Sequence, residues 1–214
     1  LNASSARSKR CWICSKTSEV TRLNESLQNK AILHLTDYGA PYAGNFIASL
    51  TALERLMGES GAKAVYAFPP RASGRLWVQE MAKAHDVRLL KKGGFFSYVR
   101  QVRRLLRETN ADILHEHFIH FSEKLAAWLA IKTCGHRVKT VLHLHNHIVL
   151  PKNPLLRLPH TLYFCSVSRF ICCSTSVASN LIADGVPKER VSVAENAIAF
   201  ARLDGFDPSV RASL

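Results

Sequence analysis

No stretch of the 214-residue chain offers the roughly 18 uninterrupted apolar residues that a membrane-spanning helix needs, because Arg, Lys, His or Asp breaks every candidate. A bilayer-spanning protein is not expected. The opening residues lack the basic, apolar and small-residue order of a secretory signal, and the first residue is Leu1 rather than Met. Both read as a trimmed or partial chain in a cytoplasmic setting. Cysteine is sparse and unpatterned. Cys172 and Cys173 are adjacent in an apolar run, and Cys134 and Cys165 fall in predicted helices, so no disulfide framework is read and the thiols are taken as reduced. Cys11 and Cys14 form a C-x-x-C pair. A second pair at zinc-ribbon spacing and the preceding strand of a thioredoxin-like site are both missing, so they read as ordinary thiols. There is no G-x-G-x-x-G and no acid placed to hold a ribose, which argues against nicotinamide binding.

Acidic residues are also short, at 16 Asp and Glu against 29 Lys and Arg, for a formal net charge of +13. The excess is concentrated: from Arg71 to Arg107 ten Lys and Arg face two acids, Glu80 and Asp86. Such a surface attracts phosphate groups, whether of nucleic acid, anionic lipid or a nucleotide sugar. A hydrophobic fraction of 47% with 21% charged residues is that of an ordinary globular protein, and the length suits one domain with short extensions.

Residues 1–29 are polar and without periodicity, and read as a flexible arm or leader. From residue 30 a strand–turn–helix pattern begins and repeats. Strands are predicted at Ala31–Thr36, Ala64–Phe68, Val87–Leu90, Asp112–His115, Val138–His145, Phe170–Ser174 and Val191–Ala194. Helices are predicted at Phe46–Met57, Leu76–Ala84, Tyr98–Arg107, Lys124–Ile131, through Tyr163 after the Pro-punctuated 151–159 segment, and at Val177–Asp184. This alternation predicts an α/β fold: a Rossmann-like, doubly wound parallel sheet of about seven strands with helices on both faces.

Ligands in such sheets bind beyond the carboxyl ends of the strands, where strand order reverses. The segments there are Asp37–Gly44, Pro69–Ser73, His115–Phe118, His145–His147, Ser174–Ser176 and Glu195–Ala197, a polar set rich in histidine. Gly39 and Gly44 lie between a strand and a helix, where backbone N–H groups could face a phosphate or where the glycines simply permit a tight turn. His143, His145 and His147 alternate and so are expected on one face of an extended segment. Three such imidazoles could ligate a metal, but a polar sugar pocket accounts for them with less demand, since neutral imidazole both donates and accepts hydrogen bonds. In the 91–107 segment, Val99, Val102 and Leu106 share one helical face and Arg100, Arg103, Arg104 and Arg107 lie largely opposite. With Lys91, Lys92, Phe95 and Phe96 these form a possible contact for anionic lipid headgroups, or the solvated face of a crossover helix.

The order of motifs from Ala31 to the C-terminus resembles glycosyltransferase family 4, retaining enzymes of the GT-B fold. A glycine-containing turn follows the first strand (A-P-Y-A-G-N-F), with Ala43 and Gly44 where the family has Gly-Gly. An Asp–strand–His-x-His segment (D-I-L-H-E-H), a strand ending in His (V-L-H-L-H-N), a strand ending in Ser (I-C-C-S-T-S) and G-V-P-K-E-R-V follow in order. The family's Asn-Gly-(Ile/Val)-Asp motif reads Asn196-Ala197-Ile198-Ala199 here. The resemblance implies a GT-B N-terminal domain over residues 30–200 and the start of an interdomain linker over 201–214. It implies transfer of a sugar from a nucleotide diphosphate sugar to a glycan or lipid-linked acceptor in cell-surface polysaccharide synthesis. It further implies that Gly44 lies near the donor diphosphate, that His145 is catalytic and contacts the transferred sugar, and that His115, Glu116, His117, Asn146 and Asn196 bind substrate. No metal or other cofactor is implied. The family's donor-binding domain has no counterpart in the sequence, so the chain is expected to be inactive until that domain or a partner chain completes the cleft. The implied location is cytoplasmic, peripheral at the inner face of the membrane. The alternative is a non-catalytic basic protein that binds anionic lipid or nucleic acid.

Overall fold

The computed structural model describes residues 27–195, Lys152 apart. Among these residues seven strands form one sheet: β1 (Ala31–Thr36), β2 (Lys63–Phe68), β3 (Asp86–Leu89), β4 (Ile113–His117), β5 (Lys139–Leu144), β6 (Arg169–Cys172) and β7 (Val191–Val193). Their order is β3-β2-β1-β4-β5-β6-β7 and every pairing is parallel. The expected doubly wound sheet is therefore what forms. Six helices connect the strands: α1 (Gly44–Glu59), α2 (Leu76–Ala84), α3 (Phe95–Glu108), α4 (Phe121–Thr133), α5 (Pro154–Ser166) and α6 (Thr175–Ala183). The chain moves outward from β1 through β2 to β3, returns by α3, and then moves outward the other way from β4. Strand order thus reverses between β1 and β4, and the carboxyl ends of those two strands open the crevice in which such sheets bind ligands.

Two apolar layers sandwich the first half of the sheet. On one face Leu33, Leu35, Val65, Ala67 and Leu114 pack with Val99, Val102 and Leu106 of α3 and Ala126, Ala127 and Ala130 of α4. On the other, Tyr66 and Phe68 pack with Ile47 and Leu50 of α1 and Trp77, Val78 and Met81 of α2. A third cluster joins Leu142, Leu144, Phe170 and Cys172 to Tyr163 and Phe164 of α5 and to Val177 and Leu181 of α6. Small alanines on α4 let it lie close to the sheet, and the tight junction of α3 with α4 follows from that. Local signals set the helix starts. Asn153 Oδ1 accepts from Leu155 N at 2.9 Å, Ser174 Oγ accepts from Val177 N at 3.3 Å, and Glu123 reaches back to His120 N at 2.9 Å, each satisfying a first-turn donor.

Boundaries shift where tertiary contacts outweigh local pattern. β4 runs to His117, two residues past the expected end, because Glu116 and His117 pair with β1 and β5 on both sides. α3 begins at Phe95 instead of Tyr98, and α4 at Phe121 instead of Lys124. Pro159 lies inside α5, where the sequence suggests punctuation.

Candidate functional site

Histidines stand at alternate positions of three adjacent strands. His34 of β1 is in register with His115 of β4, and His117 of β4 with His143 of β5. Since residues two apart share a face, the five rings of His34, His115, His117, His143 and His145 form one array on the α1 side of the sheet. Contacts run through it: His34–His117 at 5.7 Å, His115–His117 at 4.0 Å, His117–His143 at 5.2 Å and His143–His145 at 4.2 Å between centroids. Tyr66 stacks on His34 at 5.0 Å, and Phe46 from the first turn of α1 meets His117 and His145 edge-on. Phe118, at φ +58°, turns its ring flat against His145 at 3.8 Å.

The array is charged only with difficulty. His34, His115, His117 and Glu116 are buried, as is Tyr66, while Phe46 and Phe118 are half-buried. Burial depresses His34 to about 3, His143 to about 4 and His145 to about 3, with the neighbouring His143 charge adding to the effect at His145. His115 and His117 are held well below the ordinary imidazole range by burial first and by the other rings second. At neutral pH the whole array is neutral, able to donate and accept hydrogen bonds but not to serve as a cationic clamp.

Beside it, at the β1 end, Asp37 is nearly enclosed. Its backbone N–H donates to His117 O at 3.1 Å, and its carboxylate pairs with Arg71 Nη1 at 2.6 Å and His120 Nε2 at 3.3 Å. Arg71 comes from the 3₁₀ turn after β2, and its Nη2 also donates to the Asp37 carbonyl. The two glycines of the first turn have steric reasons to be there. A Cβ on Gly39 would lie 2.5 Å from Arg71 Cγ, and one on Gly44, at φ +61°, would lie 2.6 Å from Tyr38 Oη. That hydroxyl lies 3.0 and 3.1 Å from the carbonyls of Tyr42 and Ala43, so the turn leading into α1 is closed from inside. It aims the first turn of α1, whose N–H groups a helix cannot pair internally, over the carboxyl ends of β1 and β4.

The structure brings Gly44, His115, His117 and His145 together at this switch point. Asn146 follows His145 on the exposed rim. Glu116 goes elsewhere: alternation sends it through the sheet to the opposite face, where it is fully buried and accepts a short hydrogen bond from Tyr163 of α5. Asn196 lies outside the described residues, as do Cys11 and Cys14. His147 does not share the face of His143 and His145. β5 ends at Leu144, and His147 is exposed with its Nδ1 2.6 Å from Asn180 Nδ2. His34 and the Asp37–Arg71 pair join the site without having been singled out individually. The signal for His34 was its place in an otherwise apolar strand, where an alternating inward position held a polar ring.

The model of Glycosyltransferase Family 4 matches residues 62–202, well over half of the chain. The chain belongs to glycosyltransferase family 4. No curated protein matches it. The family 4 chain is similar in fold to a glycosyltransferase from Rickettsia africae ESF-5, with a TM-score of 0.62 at 13% identity, covering 86% of this chain and 48% of that one. It is similar to Anabaena HepE, solved in complex with UDP and glucose, with a TM-score of 0.60 at 18% identity, covering 86% and 50%. A UDP-N-acetylglucosamine 2-epimerase from Rickettsia bellii is also similar, with a TM-score of 0.57 at 10% identity, covering 87% and 52%. The family 4 chain thus spans about half the length of the solved proteins it matches, and what these likenesses share with it is the fold.

Proposed function

We propose that this chain is the acceptor-side half of a GT-B glycosyltransferase that moves a sugar from a nucleotide diphosphate sugar to a glycan or lipid-linked acceptor. The observation that carries the reading is the neutral, histidine-lined crevice at the β1/β4 switch point, roofed by the first turn of α1. HepE, of the same fold, is solved with UDP and glucose, which supports a nucleotide sugar as donor. In this reading the first turn of α1 after Gly44 faces the donor diphosphate, with its backbone N–H groups and the positive end of the helix dipole stabilising the leaving group. His145, neutral and fixed between Phe118 and Phe46, hydrogen-bonds a hydroxyl of the transferred sugar as its charge distribution changes. His117 holds the His145 ring from behind, with His145 Nε2 and His117 Nδ1 3.5 Å apart. Asn146 reaches the acceptor from the rim. Glu116 supports the cleft from the far side of the sheet through Tyr163.

A lipid-linked acceptor is supported by the first turn of α3. Phe95 and Phe96 are exposed there beside Lys91, Lys92 and Arg100, on the same edge of the sheet as the crevice. Arg104 and Arg107, further along the helix, are occupied by Glu108 at 2.5 Å and by the Cys134 carbonyl at 2.9 Å, so headgroup contact belongs to the N-terminal half of the patch. In this reading the protein works at the cytoplasmic face of the membrane, in cell-surface polysaccharide synthesis.

The test is to join or co-express a donor-binding half and measure sugar transfer across a panel of nucleotide sugars and acceptors. Transfer is expected, with His145→Ala lowering kcat/KM by about 100-fold, the effect of losing one transition-state hydrogen bond. Epimerised sugar without transfer, or a folded two-domain protein inert towards the whole panel, overturns the reading.

A further inference from the structure

Two sets of three imidazoles in the array each offer nitrogens within 4.8 Å of one another: His34, His115 and His117, and His117, His143 and His145. The neighbouring nitrogens are 3.4 Å apart for His34 Nδ1 and His117 Nε2, and 3.5 Å for His117 Nδ1 and His145 Nε2. The first is a weak hydrogen bond, and the second, between two rings of one set, is longer still than the roughly 2.9–3.0 Å at which an N–H···N bond is best. The His117–His145 separation is close to the roughly 3.3 Å edge of a tetrahedron of nitrogens about 2.05 Å from a zinc ion. The Nε2 atom of His143 is buried without a hydrogen-bond partner, and a cation is one way to satisfy such a lone pair.

We propose that His117, His143 and His145 form a binding site for a zinc-class divalent ion, with its fourth position open to the crevice. The first set is enclosed, with His34 0%, His115 7% and His117 2% exposed, and Tyr66 covers His34. An ion there is shut off from solvent by that burial. In the second set His143 and His145 are half-buried and reach the crevice, which gives an entry path and the three-ligand, one-open arrangement of non-structural zinc sites. His34 then acts behind the ligands. Its Nδ1 lies against the second nitrogen of His117, the position from which metal-binding imidazoles are oriented and held in one tautomer. All three donors are imidazole nitrogens, which suits zinc, cobalt, nickel or copper and not magnesium or calcium, whose shells are built from oxygen. The site rests on this geometry and not on the proposed sugar transfer, so either can fail without the other.

The experiment is a cobalt(II) and zinc(II) titration of the full chain carrying Cys11→Ser and Cys14→Ser, which removes the sequence's other paired thiol donors. Binding is followed by the visible absorption of cobalt, by calorimetry and by the rise of Tm with zinc. The expected result is one equivalent of tetrahedral cobalt, displaced by zinc. His143→Asn should weaken it about 100-fold or more, His34→Gln roughly 10-fold, and His147→Ala should leave it unchanged. His145→Asn gives a second ligand variant if His143→Asn does not fold, with circular dichroism as the check. No cobalt spectrum with the folded parent, binding that survives both ligand variants, or loss with His147→Ala overturns the assignment.

Discussion

Glu116 and the histidines share one strand, yet alternation sends them into opposite environments, and their protonation follows. Burial raises the Glu116 carboxyl to about 8, against the pull of the Tyr163 hydrogen bond and Lys124. It is therefore mostly protonated in the folded protein at neutral pH. Because the folded pKa lies above the unfolded value of 4.5, the folded state holds a proton that the unfolded chain releases between pH 4.5 and 8, and stability falls as pH rises through that window. Glu116→Gln removes this slope. Urea unfolding should show the variant close to the parent at pH 5 and more stable by on the order of 3 kcal/mol at pH 7; an equal difference at both pH values contradicts the assignment. The histidines have the opposite sign. Their folded pKa values lie below the unfolded 6.5, so their contribution is complete above pH 6.5 and is lost as the unfolded chain takes up protons below it. Each enclosed ring, His34, His115 and His117, removes about 1.4 kcal/mol per pH unit. With a chelator present, the parent should unfold as the pH falls below 6.5, while His34→Phe, which cannot bind the proton, shifts the acid midpoint downward. A variant midpoint at or above that of the parent counts against the buried neutral array.

Among the elements, α3 has a buried face and an exposed start of different character. Val99, Val102 and Leu106 are buried against the sheet, and the exposed start of the helix carries Phe96 with Lys91 and Lys92 beside it. Lys91 is fixed by the Gln101 side chain, which accepts from its N–H at 2.6 Å and donates to its carbonyl at 3.1 Å, so the basic loop is tied to the helix. Replacing Lys91 and Lys92 together by Ala should weaken binding to vesicles rich in anionic lipid by about 2 kcal/mol, roughly 30-fold, at low salt. Phe96→Ala should weaken it at high salt as well, because apolar insertion is not screened. Arg107→Ala, whose guanidinium serves the Cys134 carbonyl, should cost stability more than vesicle affinity. Binding to nucleic acid in place of vesicles, with the same salt dependence, would favour the non-catalytic reading.

On the scale of the molecule, several of the most exposed apolar side chains lie on one edge. Tyr42, Leu76, Phe96, Val149 and Leu155 all lie on connections that leave the carboxyl ends of strands, with Leu76 at 76%, Val149 at 88% and Leu155 at 80% exposure. A rim of this kind around a crevice is the type of surface that a partner covers, and under the proposed function that partner is a donor-binding half. When a donor-binding half is supplied, hydroxyl-radical footprinting should show Tyr42, Leu76 and Leu155 protected. Protection confined to the opposite edge contradicts the proposed cleft. None of the described helices is long and apolar enough to cross a membrane.

Periodicity in the sequence was enough to determine the fold class, the seven strands and the helices between them, because each strand's apolar run and each helix's buried stripe are local consequences of covalent geometry. The chain order of Gly44, His115, His117 and His145 was equally legible, and the strand-end rule named the turns that surround them. The tertiary structure alone decided which side of the sheet each residue faces and what lies beside it. Register between β1, β4 and β5 aligned His34, His115, His117 and His143, separated by up to about a hundred residues, into one array. The same register turned Glu116 away from the crevice, and the end of β5 at Leu144 released His147 to solvent. Pairing between distant strands is fixed by hydrogen bonds and packing summed over the whole sheet, which no local window of sequence contains.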